Sequence, residues 1–321
     1  RLTQDKLSTK IQVDKINNTA AENFPTESNN LENQQNSIED RSNTKSLPLN
    51  GREEPESGKS ADNKLLDKNK NQPQNDSDFV LNNISFVIKK GMTLGLTGLT
   101  GSGKTSLVNL VLRLYDATFG EVLIDGTNIK DISLELLRSS IGFVTQEPFL
   151  FSKSIRDNII FGKESLFDNM GDEEIMAGVT DAARLAMLHE EIMGFPYGYE
   201  TIIGERGVTL SGGQKQRLAI ARALMTSPSI LILDDSFSSV DTQTEEMILK
   251  ALKKETGEIT RILISHRIST IKDSDMIIVM DNGQISETGT HKDLIKKTGI
   301  YKRLYLRQQL SSELEDELEE I

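Results

Sequence analysis

The sequence of 321 residues carries a formal net charge of −12 and contains no cysteine, which excludes disulfides and Cys-ligated metals and agrees with a reducing compartment. It holds no apolar run of about 18 residues, so nothing in it reads as a membrane-spanning helix. The charge divides into −3 over residues 1–78, −3 over 79–309 and −6 over 310–321, leaving a middle too near neutral to offer nucleic-acid phosphates a basic face.

Taken in chain order, residues 1–78 are rich in Asn, Gln, Ser, Asp, Glu and Lys and lack the apolar surface that offsets the entropy of ordering, so they are expected to be a disordered polar linker. They are too polar for a signal peptide. The first residue is Arg1 rather than Met, so a further piece such as a membrane domain is expected upstream. From Phe79 the texture changes to short apolar runs alternating with helical patterns, which predicts an α/β fold with a mainly parallel sheet. Ile84–Ile88 and Thr93–Thr97 are predicted strands around a Lys90-Gly91 turn, and Lys104–Tyr115 is a predicted helix with Leu107, Leu110, Val111 and Leu114 on one face. Glu121–Ile124 and Ile141–Val144 are further strands. A mostly helical stretch follows to about residue 225, and the sheet resumes with Ile230–Leu233, Arg261–Ile264 and Met276–Met280, whose almost wholly apolar composition suits buried parallel strands. Asp281-Asn282-Gly283 then predicts a hairpin, and the acidic last residues either an acidic helix or a frayed, solvated tail.

Gly98-Leu99-Thr100-Gly101-Ser102-Gly103-Lys104-Thr105 lies between a predicted strand and a predicted helix, the context a phosphate-binding loop requires. Glycines let backbone N–H groups turn inward, the helix N-terminus adds its positive end, Lys104 can reach β and γ phosphates, and the Thr105 hydroxyl can ligate Mg²⁺. Ser106 continues the loop into the helix. The strand ending Ile232-Leu233-Asp234 places a carboxylate where a Mg²⁺ ligand is needed, so ATP and Mg²⁺ are the expected substrate and metal.

Leu210-Ser211-Gly212-Gly213-Gln214 has no use in ordinary P-loop kinases and GTPases. With it, residues 79 to about 306 resemble the ABC ATPases. The resemblance implies a P-loop NTPase core of ABC type, with a mainly parallel sheet, an antiparallel β subdomain and a helical subdomain over about 146–225, followed by a 307–321 tail. It further implies that two such domains pair head to tail, with Ser211, Gly212, Gly213 and Gln214 capping the nucleotide on the partner's loop. Gln146 matches the glutamine that senses Mg²⁺ and the membrane domain, His266 the switch histidine at the γ phosphate, and Ser238–Asp241 the loop communicating across the dimer. Gln146-Glu147-Pro148 through Phe151, and Gly204-Glu205-Arg206-Gly207, resemble the exporter branch, with Glu205, Gln146 and Glu147 as candidates for transmitting closure to a membrane-spanning domain. The expected setting is the cytoplasmic face of the cell membrane.

Two positions depart from the family pattern. Asp235 stands where the family usually has the glutamate that polarises water; the shorter side chain withdraws the carboxylate by about 1 Å, and misplacement on that scale can cost roughly 10²-fold in rate. An Asp-Asp pair resembles the degenerate-site subunit of heterodimeric multidrug exporters, so the alternatives are a heterodimer half, an ATP-gated and largely non-hydrolytic regulatory module, or a tolerated change in a homodimer. Second, counting back from Lys104 to the usual adenine-stacking aromatic lands near Pro73, with no aromatic between Phe24 and Phe79. Either Phe79 substitutes or stacking is lost, at about 1–3 kcal/mol of base affinity. An ABC ATPase acting on DNA would need coiled-coil arms between the loop and Leu210, and that interval has no heptad run.

Overall fold

The structure, a computed structural model, describes residues 11–19, 79–162, 167–168, 170–204 and 207–319. Two sheets organise them. One takes β1 (Ile11–Thr19), β2 (Phe79–Ile88), β4 (Phe119–Ile124) and the short β5 (Thr127–Asn128) in the order β2-β1-β4-β5, with antiparallel pairing throughout. The other takes β3 (Thr93–Gly98), β6 (Ile141–Val144), β7 (Ile230–Asp234), β8 (Thr260–Ile264), β9 (Met276–Asp281) and β10 (Gln284–Gly289) in the order β10-β9-β3-β8-β7-β6. Its pairings are parallel except for the β9–β10 hairpin, whose turn places Asn282 and Gly283 at φ 45° and 74°, as an Asn-Gly hairpin requires. β3, β7 and β8 are buried along their whole length, which is why apolar residues dominate them.

For Ile11–Thr19 the expectation of a linker is corrected. These nine residues form a strand paired to both β2 and β4, with Ile11 opposite Ile88 on one side and Ile124 on the other. Ile11, Val13 and Ile16 are fully buried, and the register shift between Val13 and Ile16 absorbs the uneven spacing that hides the period-two pattern. The strand preceding β2 is β1, which carries no aromatic residue and is separated from β2 by residues 20–78. The Pro73 position lies outside the described residues. Replacing Ile16 with alanine removes buried volume from the middle of a three-strand pairing and is expected to cost about 2–5 kcal/mol of stability. Urea denaturation measures it, and a change below about 0.5 kcal/mol, the range of a surface substitution, would mean that β1 is not docked.

α1 (Lys104–Val111) follows β3. It stops short of the expected Tyr115 because Arg113 turns to φ 48° and donates Nη1 to the carbonyls of Ile129 and Ile132, at 3.0 Å each. After α2 (Leu134–Ser139), the segment between β6 and β7 holds α3 (Ile155–Ile160), α4 (Asp172–Leu185), α5 (His189–Met193) and α6 (Gly212–Leu224). α7 (Thr242–Glu255) joins β7 to β8, α8 (Ile268–Ile271) joins β8 to β9, and α9 (His291–Leu294) and α10 (Ile300–Glu319) close the chain. Of the two alternatives for the acidic end, helix is the one that forms: α10 continues to Glu319, started by Glu287 Oε1, which accepts from the Ile300 and Tyr301 amides, and by fully buried Tyr301. No helix among the described residues is long and apolar enough to cross a membrane.

Candidate functional site

The carboxyl ends of β3, β7 and β8 lie side by side, the position at which an α/β sheet presents its loops to a ligand. From β3 the chain enters a loop whose Gly98, Gly101 and Gly103 sit at φ 145°, 80° and 96°. At Gly98 a Cβ would stand 2.1 Å from the Met280 carbonyl oxygen, and at Gly103 it would stand 2.7 Å from Leu81 Cδ2. These glycines are thus required by close approach as well as by backbone angle. The base of the loop is tied down through Ser102, whose carbonyl accepts from the Gly283 amide at 3.2 Å. Thr100, Gly101 and Thr105 face outward, Ser106 is half-buried and Lys104 is buried.

Lys104 Nζ turns back into this loop and donates to the carbonyls of Gly98 and Leu99, at 3.0 Å each. Burial lowers its basicity, and the charges of Asp235 and Asp234 oppose that shift. At the end of β7, burial pushes the Asp234 carboxyl up to about 6, helped by the Asp235 charge and opposed by Lys104 and a hydrogen bond from Thr105. Two predicted metal ligands, Thr105 and Asp234, are therefore already in contact. Asp235 follows at φ 43°, a left-handed turn that Asp tolerates better than most residues. Its Oδ1 accepts from the His266 amide at 3.1 Å, and its Oδ2 lies 3.4 Å from His266 Nε2. Lys104, Thr105, Asp234, Asp235 and His266 thus form one group drawn from the start of α1 and the ends of β7 and β8.

Ser211, Gly212, Gly213 and Gln214 form a second group at the start of α6. Ser211 Oγ accepts from the Gln214 amide, and Gln214 Oε1 accepts from the Ser211 amide, a reciprocal cap. The glycines are set by packing on the loop after β7: a Cβ at Gly213 would stand 2.8 Å from the Ser239 carbonyl oxygen. Gln214 Nε2 donates to Glu191. Gln146 is exposed, and it joins this group through its backbone, since Gln216 Nε2 reaches its carbonyl at 3.4 Å.

Gln216 was not among the residues singled out by motif. It is 3 % exposed, donates to Ser238 Oγ at 2.7 Å and accepts from the Ser239 amide at 2.9 Å, linking the 146 loop, α6 and the 238–241 loop. Arg267, also missed, donates to the carbonyls of Phe237, Ser238 and Val240 and pairs with buried Glu245 at 3.2 Å. Neither stands out locally, since Gln216 lies in the polar run Gln214-Lys215-Gln216-Arg217 and Arg267 directly follows Ser265-His266.

A third feature is a groove of about 460 Å³ lined by Pro148, Phe149, Phe151, Ile203 and Val208. Beside it Phe151 stacks on Phe161 at 3.7 Å, and Arg222 lies over both rings and donates to the Phe149 and Asn158 carbonyls. Phe149 nevertheless remains 71 % exposed. Glu147 borders this region and is exposed, while Glu205 lies outside the described residues.

The residues present fit a magnesium nucleotide. Ser102 Oγ is buried without a hydrogen-bond partner among the described residues, the outer side of Gly101 is open space, and a lysine faces a hydroxyl–carboxylate pair with the oxygen donors that Mg²⁺ prefers. Comparison with known proteins agrees with this chemistry. Residues 81–238 match the ABC transporter family. Proteins of Staphylococcus aureus strains NCTC 8325 and Mu50, named for multidrug export as ATP-binding/permease proteins, are 46% identical over 231 residues, covering 72% of this chain and 39% of each relative. A bacterial Atm1-family ABC exporter solved with ATP bound is similar over 94% of this chain and 42% of its own, at 31% identity and a TM-score of 0.69. The chain thus spans about two fifths of the relatives it matches.

Proposed function

Since the chain carries the nucleotide-binding domain of the ABC transporter family, we propose that it binds Mg-ATP and hydrolyses it as the motor of an exporter. The observation that supports this best is the convergence of Lys104, Thr105, Asp234, Asp235 and His266 at the ends of β3, β7 and β8.

Little covalent chemistry falls to the protein in phosphoryl transfer; it positions the reactants and supplies charge. The amides from Gly98 to Thr105 would cradle the phosphates, and Lys104 would exchange its two loop carbonyls for phosphate oxygens. Thr105 and Asp234 would hold Mg²⁺, with Gln146 completing the set, and the ion would neutralise charge on the β and γ oxygens. Asp235 would orient a water and accept its proton, and the His266 ring beside it would meet the transferred phosphate. Ser211–Gln214 make their contacts with Glu191 and the 238–241 loop, which leaves the start of α6 for the nucleotide of a second domain. That partner is either a copy of this chain or, as Asp235 favours, a different one. The exposed aromatic groove at Phe149 is the surface for a membrane-spanning domain, which sets the chain at the cytoplasmic face of a membrane.

The test is phosphate release by the purified chain with Mg²⁺, alone and with a candidate partner, alongside equilibrium ATP binding. Chelating the metal with EDTA is expected to abolish release and weaken binding. Metal-independent turnover, or no nucleotide binding at all, would overturn the reading.

A further inference from the structure

His266 sits on the link between β8 and α8, and its neighbours fix only part of it. Its amide is held by Asp235, while the Arg267 side chain that follows serves the 237–240 carbonyls and Glu245. α8 begins without a side-chain cap from its own N-cap residue, Arg267, so the first amide of that helix needs a partner from elsewhere. Gln308, in the third turn of α10, supplies it: Oε1 accepts from the Ile268 amide at 2.8 Å. The same primary amide donates Nε2 to the His266 carbonyl at 2.6 Å. One side chain therefore brackets the backbone on both sides of Arg267, in the way a neighbouring strand pairs with a peptide.

The helix that carries Gln308 is anchored near its beginning. Tyr301 is fully buried and its hydroxyl lies 2.8 Å from His291 Nδ1, and Glu287 caps the Ile300 and Tyr301 amides. Leu306 and Leu310, by contrast, are 46% and 60% exposed. Gln308 thus stands where α10 passes from an anchored start to an exposed continuation, and its bonds to His266 and Ile268 join that helix to the loop facing Asp235.

We propose that Gln308 is a positioning residue for His266, setting the stance of the switch loop from the C-terminal helix. This rests on the reading of the site as an ATPase. In the full chain, Gln308→Ala is expected to lower kcat about tenfold, the scale of one positioning hydrogen bond, with KM and Kd for ATP held within about twofold. Gln308→Glu keeps the acceptor for Ile268 but sets a carboxylate against the His266 carbonyl, and is expected to lose as much. In a His266→Ala background neither change has a further effect, because the two residues act as one unit. Equal losses with and without His266, or a loss confined to thermal stability, would overturn the proposal. A readout independent of turnover is the imidazole NMR signal of His266 in the nucleotide-free chain. It is expected to shift in Gln308→Ala while that of His189, on α5, stays in place. An unmoved His266 signal overturns the proposal, whereas absent wild-type turnover with a shifted signal counts against the ATPase reading alone.

Discussion

Replacing Lys104 with alanine is expected to lower ATP turnover by about 10²–10³-fold, the cost of removing one preorganised donor from developing charge. The reason lies in what the ammonium touches. It is buried, bonded to the Gly98 and Leu99 carbonyls, and close enough to Asp234 and Asp235 that both carboxylates oppose the lowering of its basicity by burial. Alanine therefore removes a phosphate contact and also the cation that offsets two adjacent acids, so the Asp234 carboxyl, already pushed up to about 6, loses one of the influences restraining it. Binding of Mg-ATP should weaken together with turnover, because nucleotide and metal lose the same support. Phosphate release and calorimetric binding, measured on the same preparation, separate the two effects. Unchanged turnover would mean that the hydrolysis observed belongs to another site or a contaminant.

The features that were legible in the sequence are those whose physics is local. A strand, a glycine loop and a helix start occupy consecutive residues from Thr93 to Val111, and β7 delivers Asp234 in five residues without a break. Ile11–Thr19 was illegible because its apolar residues are few, its spacing is broken by a register shift, and the strands it joins lie beyond residues 20–78. Gln216, Arg267 and Gln308 carry no signature because each acts across the fold, on segments 22 to 70 positions away in sequence. The acidic end of α10 stayed open between helix and solvated tail for a different reason. Composition reports how well residues are solvated, whereas that helix is held at its other end by Tyr301 and Glu287.

Asp235→Glu is expected to raise turnover at this site by roughly 10²-fold, the scale attached to about 1 Å of misplacement at a reacting centre. As built, the carboxylate is short and committed: one oxygen accepts from the His266 amide at 3.1 Å and the other lies 3.4 Å from the His266 ring. An added methylene extends its reach toward the nucleotide side while leaving His266 in contact. The same change has a cost, because position 235 lies at φ 43° and Glu is less at ease than Asp in the left-handed region. A loss of stability on the order of 1 kcal/mol is therefore expected beside the gain in rate. Opposite signs for stability and turnover are the useful signature, since a variant that merely folded better would raise both. A large gain identifies a domain that holds ATP and turns it over slowly, completing the active site of a different partner through Ser211–Gln214. Appreciable wild-type turnover with no gain from glutamate identifies instead a self-sufficient motor in which Asp235 and His266 together already place the water, and the pairing would then be between two copies of this chain.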